Sequence, residues 1–199
     1  SLHGDGVAGL NFGHVYEIDP LNAKDLTRAE IDSRKRIPAM LAFIRKYVPG
    51  AEKAVLVSSG PAIGIRESRR IVGDYRLTRE DYYRRESFED TIARYSYPMD
   101  VHASKQEEPD NSKAHEFYTA RYQAGESYGI PYRALLPRGL ENVIAAGRTL
   151  SSDRSMHGSF RVMPACFATG EAAGTAAAVC TEEKRRSFRE IDVQKLRQI

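Results

Sequence analysis

The sequence predicts an α/β fold, or an α+β fold if the chain is considered in isolation. A stripe of apolar residues at helical spacing extends from Ile37 to Val48, as in an amphipathic helix. Continuous apolar runs at residues 54–57 and 142–147 are typical of buried strands. An alanine-rich segment at residues 164–181 follows the second run and is predicted to be helical. Strands and helices that alternate along the chain indicate this fold class.

The first third of the chain is predicted to contain a short strand at residues 12–19 and then a helix. Thr27-Arg-Ala-Glu30 fits a capping box, in which a hydroxyl and a carboxylate satisfy the first backbone amides of a helix. Pro38 lies inside the apolar stripe, so we expect a kink or two consecutive helices. Pro49-Gly50 is a helix stop. Residues 58–64 contain two glycines and a proline and are predicted to form a loop or bulge.

The middle of the chain contains further helix-start signals and strand candidates. Thr78-Arg-Glu-Asp81 and Ser87-Phe-Glu-Asp90 predict two short helices within residues 78–94. Residues 103–114 carry no large apolar side chain and are predicted to be a loop. Strands are predicted at residues 97–102, 117–122 and 130–136.

The last third combines the buried strand at 142–147 with a polar loop at 148–162 and the alanine-rich helix. Pro164 lies near the first helical position, where a missing amide costs nothing. A short helix is predicted at residues 192–198.

Composition and charge exclude several classes of protein. Of 199 residues, 41% are hydrophobic and 29% are charged, which is typical of a soluble globular domain and excludes collagen, disulfide scaffolds and wholesale disorder. The net charge is only +3. Residues 66–86 mix seven arginines with five acids, whereas a nucleic-acid footprint needs segregated basic residues. No apolar run is long enough to span a membrane.

The two cysteines are Cys166 and Cys180. If both lie on one helix, 14 residues at ~1.5 Å each separate them by ~21 Å, too far for a disulfide. Two free thiols indicate a reducing compartment, so we expect a cytoplasmic location. The chain begins with Ser1 rather than Met, which suggests a processed product or an expressed fragment.

The sequence does not support a dinucleotide-binding motif or a metal site. Gly4-Asp-Gly6-Val-Ala-Gly9 matches the dinucleotide-binding pattern, but that motif requires a preceding strand and a following helix. Only three residues precede it, so we interpret it as a glycine-rich N-terminal segment. The five histidines show no ligand spacing, and we predict no metal site.

Three features indicate chemistry. Arg66, Arg69 and Arg70 directly follow the first predicted buried strand, and clustered guanidiniums suit carboxylate or phosphate groups. A salt-bridged surface that uses Glu67 and Asp74 is the alternative, and the residues alone leave both open.

The second feature is the strand–loop–helix unit at residues 142–180, whose loop carries Arg154, His157 and Arg161. A helix that begins near Pro164 would present free amides and the positive end of its dipole. An ordinary strand–helix connection is the alternative, although 15 residues are many for one.

The third feature is the spacing of Gly170 and Gly174 among alanines. Small residues at this spacing allow another backbone or a flat ligand to approach closely.

Four blocks together resemble the C-terminal portion of a FAD-dependent oxidoreductase of the glutathione-reductase-like flavoprotein group. They are residues 14–20, 64–73, 130–137 and 145–178. The resemblance implies a partial substrate-side domain at 1–129 that carries a mixed sheet. It implies the returning strand–loop–helix of a FAD-binding domain at 130–182, and a charged tail at 183–199. The N-terminal Rossmann half of that domain is missing from this sequence.

The resemblance also implies roles for individual residues. Arg66, Arg69 and Arg70 would bind substrate, and His157 and Tyr132 would be the catalytic proton-transfer candidates. Gly147 and Arg148 would lie beside the ribityl-pyrophosphate, with Arg161 to Met163 beside the flavin pyrimidine. The cofactor-binding residues would be Gly147, Arg148, Ser159, Arg161, Val162 and Met163.

The parent enzyme would transfer a hydride between an organic substrate and N5 of FAD. This chain alone is expected to be inactive and to lack bound FAD, because half of the cofactor site is missing. Its expected partners are a small organic substrate and the missing N-terminal half of the same enzyme, with homo-oligomer formation left open. The alternative is a non-catalytic α+β binding module that docks a partner through its arginine-rich segment.

Overall fold

The computed structural model of the protein describes Gly4 and residues 6–101 and 120–199. Among these residues, one compact unit extends to Ser68 and a second begins at Arg69. The predicted loop at 103–114 lies outside the described residues, as does the first half of the predicted strand at 117–122. The described residues 120–122 are not in a strand. The domain limits predicted after residues 129 and 182 follow the family resemblance and stay predictions. None of the helices in the described part of the chain is long and apolar enough to cross a membrane.

The first unit is built on one long helix, α1 (Ala23–Tyr47). Asn22 caps it by accepting a 3.0 Å hydrogen bond from the Lys24 amide. The predicted start at Thr27 is therefore late, and the Thr27 hydroxyl instead donates to the carbonyl of Ala23 inside the helix. The start differs because asparagine is as good a cap as threonine. The glycine pattern at residues 4–9 has no helix directly after it, since α1 begins at Ala23.

α1 continues through Pro38 as a single helix, so the alternative of two consecutive helices is wrong. Ile37, Leu41 and Ile44 are half-buried along one face, which confirms the predicted stripe up to its last member, whereas Val48 is exposed. The helix ends at Tyr47 with Val48 as its C-cap, and Pro49-Gly50 follows as the predicted stop.

The two strands predicted in this unit do not form. Residues 12–19 and 54–57 are irregular, and Val55 and Val57 are 71% and 78% exposed. An apolar run becomes a strand only where another strand takes up its backbone hydrogen bonds. Within the described residues of this unit there is no such partner strand.

The second unit opens with α2 (Arg79–Arg84). Thr78 and Asp81 form a capping box, so the first of the two predicted helix starts is confirmed. The second is wrong. The Thr91 hydroxyl accepts a 2.9 Å hydrogen bond from the Phe88 amide, and this turn leads into a strand instead of a helix.

The sheet of this unit has two antiparallel strands, β1 (Thr91–Tyr95) and β2 (Tyr128–Pro131). Gly129 allows them to approach, because a Cβ there would collide with the Thr91 hydroxyl. The strand predicted at 97–102 is misplaced, since residues 97–101 are irregular. The strand predicted at 130–136 is correct only at its start, because a 3-10 turn follows at Tyr132–Leu135. The mixed sheet expected from the resemblance is thus a two-stranded antiparallel sheet in the described residues.

The last third departs most from its predicted outline. Residues 143–146 are irregular rather than a buried strand, and the Ala145 amide donates to the Leu135 carbonyl at 2.9 Å. The predicted loop contains a 3-10 turn, Gly147–Thr149, and a helix, α3 (Arg154–Phe160). Asp153 caps α3 by accepting a 2.7 Å hydrogen bond from the Met156 amide. That aspartate was the missed helix-start signal.

The two remaining helices are confirmed. α4 (Met163–Glu182) follows α3, and α5 (Val193–Leu196) lies near the C-terminus. Cys166 and Cys180 both lie on α4 and are free thiols, as predicted.

α4 links two buried clusters of the second unit. Ala165 and Ala173 pack in the larger cluster, and Ala176 and Val179 pack in the smaller one. The predicted close approach of another backbone at Gly170 and Gly174 is not found, since both are exposed and a Cβ on either would meet no described atom within 4 Å. The larger cluster also contains Leu77, Tyr82, Met99, Tyr128, Ile130, Ala134, Leu135, Leu150, Met156 and Phe160.

Candidate functional site

The first turn of α4 is open to solvent. Val162 occupies the N-cap position and provides no side-chain cap, and Pro164 lies in the first turn as predicted. Pro164 has no amide and the Cys166 amide donates to the Val162 carbonyl at 3.2 Å, which leaves the Met163 and Ala165 amides without a partner inside the helix. Met163 is 71% exposed, so core side chains do not cover this turn. The helix begins within one residue of the predicted position.

Gly147 lies against the first turns of α4. Its amide donates a 3.0 Å hydrogen bond to the Thr169 hydroxyl. A Cβ on Gly147 would lie 3.6 Å from the Cys166 sulfur, an ordinary contact. Its φ of +70° is what requires glycine here. We call Gly147, Arg148, Val162, Met163 and Phe167 the helix-entry surface.

The helix-entry surface has an apolar part as well as a polar one. Phe167 is 70% exposed and lies one turn after Met163, so both side chains project from the same face of α4. Arg148 is exposed beside Gly147. The surface therefore combines the positive end of the α4 dipole, an exposed guanidinium residue and an apolar patch.

Arg161 fixes the junction between α3 and α4. Its side chain is 11% exposed, and one guanidinium nitrogen donates to both the carbonyl and the carboxylate of Asp100, each at 3.0 Å. The Arg161 carbonyl accepts a weak hydrogen bond from the Cys166 thiol at 3.5 Å. With its charge balanced by Asp100, Arg161 acts on the helix-entry surface by holding its backbone in place.

Ser159 lies beneath this surface rather than on it. The residue is fully buried, and its hydroxyl donates to the Tyr97 carbonyl. The Tyr128 hydroxyl lies 2.8 Å away and therefore donates to Ser159. Burial raises the pKa of Tyr128 far above its usual value. Ser159 thus ties α3 to β2.

His157 is buried and holds the backbone of Arg148. Its Nε2 lies 3.1 Å from the Arg148 carbonyl. A carbonyl only accepts, so Nε2 carries a proton. The imidazole edge packs on Phe160, with ring centroids 5.6 Å apart.

Tyr132 lies at the other end of α4. Its hydroxyl donates to the Phe188 carbonyl at 3.0 Å, and burial raises its pKa well above the usual value. It belongs to the buried cluster of Ala176, which is ~20 Å along the helix from Met163 at ~1.5 Å per residue. The structure therefore does not bring Tyr132 and His157 together, and their proton-transfer roles stay predictions.

The three arginines predicted to bind substrate fall on both sides of the unit boundary. Arg66 is half-buried in the first unit, and Arg69 and Arg70 open the second, exposed and half-buried respectively. Asp74, the acid considered as a local partner, instead accepts two hydrogen bonds from Arg189 at 2.8 and 3.1 Å.

A cleft of about 360 Å³ lies in the second unit. Of its lining residues, only Arg70 is a predicted site residue. Long-range backbone contacts assemble it: the Leu77 amide donates to the Ser151 carbonyl at 3.0 Å, and the Arg138 amide to the Val72 carbonyl at 2.9 Å. No local pattern marks such contacts. We call this the arginine cleft; it is lined by Arg70, Ile71, Val72, Gly73, Arg76, Arg138, Ser151 and Ser152.

The described residues form neither a metal site nor an activated thiol. No group of three or more His, Cys, Asp or Glu side chains in residues 6–101 and 120–199 is arranged to hold a metal ion. Burial raises the pKa of the Cys166 thiol, and Arg148 offsets this only in part. Cys166 is therefore a protonated thiol at neutral pH.

Comparison with known proteins identifies the family of the chain. The family model described as FAD dependent oxidoreductase matches residues 4–199. No curated protein and no solved structure matches the chain. The family match includes both compact units, the helix-entry surface and the arginine cleft.

Proposed function

Because the chain belongs to the FAD-dependent oxidoreductase family, we propose that its helix-entry surface contacts the flavin of bound FAD. When bound, FAD supplies hydride transfer at N5 to or from an organic substrate. The observation that carries the proposal is the solvent-open, uncapped first turn of α4, which lies beside a glycine held at positive φ. The protein contributes orientation and electrostatics at this surface.

The residues present fit such a group. The first-turn amides and the dipole of α4 favour negative charge. The contribution is about 0.3–1 kcal/mol when exposed, or roughly 7–20 mV for a two-electron couple. Met163 and Phe167 offer an apolar face to a flat ring. Gly147 keeps a side chain out of the approach to Arg148.

The surrounding residues hold this surface in position. His157 fixes the Arg148 carbonyl, and Arg161 fixes the α3–α4 junction through Asp100. These contacts support positioning roles for both residues. Arg66, Arg69 and Arg70 remain the proposed substrate-binding residues. We expect a separate dinucleotide-binding segment to hold the adenosine half of FAD, since the only G-x-G-x-x-G pattern in these 199 residues lacks the helix it needs.

A charge placed in the first turn of α4 tests the proposal. Met163→Glu should leave helix stability equal or slightly higher, because an acid at a helix N-terminus is favourable. The same carboxylate should repel negative charge on a reduced flavin and lower its midpoint potential by ~10–30 mV. Met163→Gln is the matched neutral control and should change the potential far less. Equal potentials in both variants of the flavin-bound enzyme would remove the helix-entry surface from the flavin site.

A further inference from the structure

The arginine cleft is a second concave site in the unit that begins at Arg69. Arg76 and Arg138 are exposed at its rim, and Arg70 adds a third, half-buried guanidinium residue. None of its eight lining residues is acidic. Asp74, which follows the lining residue Gly73, is engaged by Arg189 through both carboxylate oxygens. The cleft thus presents positive charge without a lining carboxylate.

Ser152 supplies an independent indication of a ligand. It lines the cleft and is only 6% exposed. Within the described ranges its hydroxyl oxygen is buried and has no hydrogen-bond partner. A buried hydroxyl left unpaired destabilises a fold by ~1–3 kcal/mol, and most such groups in proteins do have a partner. Because Ser152 lines the cleft, a rotation about χ1 to another staggered rotamer would turn this hydroxyl toward a ligand oxygen there.

The floor of the cleft is preformed by a close backbone approach. A Cβ on Gly73 would lie 2.7 Å from the Ser151 Cβ, so only glycine allows these segments to meet. The Leu77 and Ser151 backbones are hydrogen-bonded at 3.0 Å on the same side. Ser152 is therefore held in place by backbone contacts, including its bridge to Leu77.

We propose that the arginine cleft binds a phosphate-class oxyanion. A carboxylate offers two oxygens and one charge, whereas a phosphate group offers three oxygens and a charge of about −1.5 to −2. The exposed guanidiniums of Arg76 and Arg138 match the phosphate better, because arginine forks bind its oxygens in pairs. The cleft of about 360 Å³ has room for a phosphate group.

This inference goes beyond the flavin contact of the proposed function, because no cleft residue belongs to the helix-entry surface. It shares Arg70 with the proposed substrate-binding residues and deepens the role of that one residue. The phosphate group can come from a nucleotide cofactor or from a phosphorylated substrate. Both sources share the same recognition chemistry. Titrations with competitors separate them.

The test is calorimetric titration of the 199-residue chain with inorganic phosphate and pyrophosphate, with succinate as the carboxylate comparison. Low ionic strength is needed because exposed guanidiniums are screened by salt. Arg76→Gln and Arg138→Gln should each weaken pyrophosphate binding about 5- to 10-fold. Arg197→Gln removes the same charge from an exposed position outside the cleft and should leave binding nearly unchanged.

Ser152→Ala distinguishes a ligand-binding role of Ser152 from a purely structural one, because the two roles predict opposite changes in melting temperature and affinity. Its hydroxyl is unpaired in the described structure, so its removal should leave the melting temperature equal or higher. The same substitution should weaken pyrophosphate binding about threefold or more, by the loss of one hydrogen bond. A lower melting temperature with unchanged affinity would assign Ser152 to the fold alone and overturn its role in the site.

The proposal is overturned if phosphate and pyrophosphate do not bind, if succinate binds more tightly, or if Arg197→Gln matches the cleft variants. Displacement of pyrophosphate by FAD but not by riboflavin would support the site and assign the phosphate to the cofactor. Pyrophosphate binding that neither FAD nor riboflavin displaces would support the site and assign the phosphate to a substrate. The flavin midpoint potential should be unchanged in the cleft variants. A failure of pyrophosphate binding would then leave the flavin proposal untouched.

Discussion

Replacement of Arg161 by glutamine should destabilise the second unit measurably. Its guanidinium donates to both the carbonyl and the carboxylate of Asp100 at 3.0 Å and is 11% exposed. A hydrogen bond to a charged group contributes ~1.5–3 kcal/mol. Because the Asp100 side chain is 23% exposed, water replaces part of what is lost, and we expect a net cost of about 2 kcal/mol. The melting temperature should fall by roughly 4–8 °C for a chain of this size.

Urea unfolding followed by circular dichroism measures this cost directly. Arg185→Gln is the matched control, since Arg185 also pairs with an acid but is 45% exposed. Exposed pairs contribute little, so its unfolding midpoint should hardly move. A fall in stability that is the same for both variants would refute the special role of the Arg161–Asp100 pair.

Flavin binding distinguishes a positioning role of Arg161 from direct charge contact. If Arg161 acts through position, Asp100→Asn and Arg161→Gln should both weaken flavin binding, because either loosens the α3–α4 junction. If its charge acts directly on the flavin, Asp100→Asn should leave that charge uncompensated and strengthen binding. Tighter binding in Asp100→Asn would refute the positioning account.

Three further outcomes are expected. Gly147→Ala and Gly125→Ala both place a side chain at positive φ and should each cost ~1–2 kcal/mol; only Gly147→Ala should weaken flavin binding, and equal binding losses would contradict this. Burial raises the pKa of Tyr82 to about 12 against ~10 in the unfolded chain. The stability due to its neutral form is complete below pH 10 and is lost as pH rises toward 12; urea midpoints should show that fall, and Tyr82→Phe should reduce it. The isolated chain should purify colourless, because contacts to half the cofactor must alone offset the entropy cost of binding; a stoichiometric flavin absorbance band after gel filtration would contradict this.

The helices were predictable because their signals are local. Pro164 and the alanine-rich run that follows define α4, and Thr78 with Asp81 defines α2. α3 has the same kind of local signal, since its capping residue Asp153 lies inside the polar stretch that the sequence predicts to be a loop. A capping side chain acts within three residues, so neighbouring sequence is sufficient information.

The strands were not predictable in the same way, because a strand depends on a partner that is distant in sequence. The run at 54–57 has the composition of a buried strand but remains exposed. The actual pair, β1 and β2, joins residues more than 30 positions apart. The arginine cleft has the same origin, since Ser151 meets Leu77 only through such long-range contacts. The start of α4, by contrast, was placed from sequence to within one residue.

The most direct test of the flavin site is a chemical-shift titration of the labelled chain with FAD, which detects weak binding. The account predicts that the amide signals of Gly147, Met163 and Ala165 shift with one common saturation curve. α5 packs in the smaller cluster and contributes no residue to the helix-entry surface. Its signals therefore serve as the reference and should not shift. Shifts that saturate at α5 while Met163 and Ala165 stay unmoved would contradict the claim that the first turn of α4 faces the flavin.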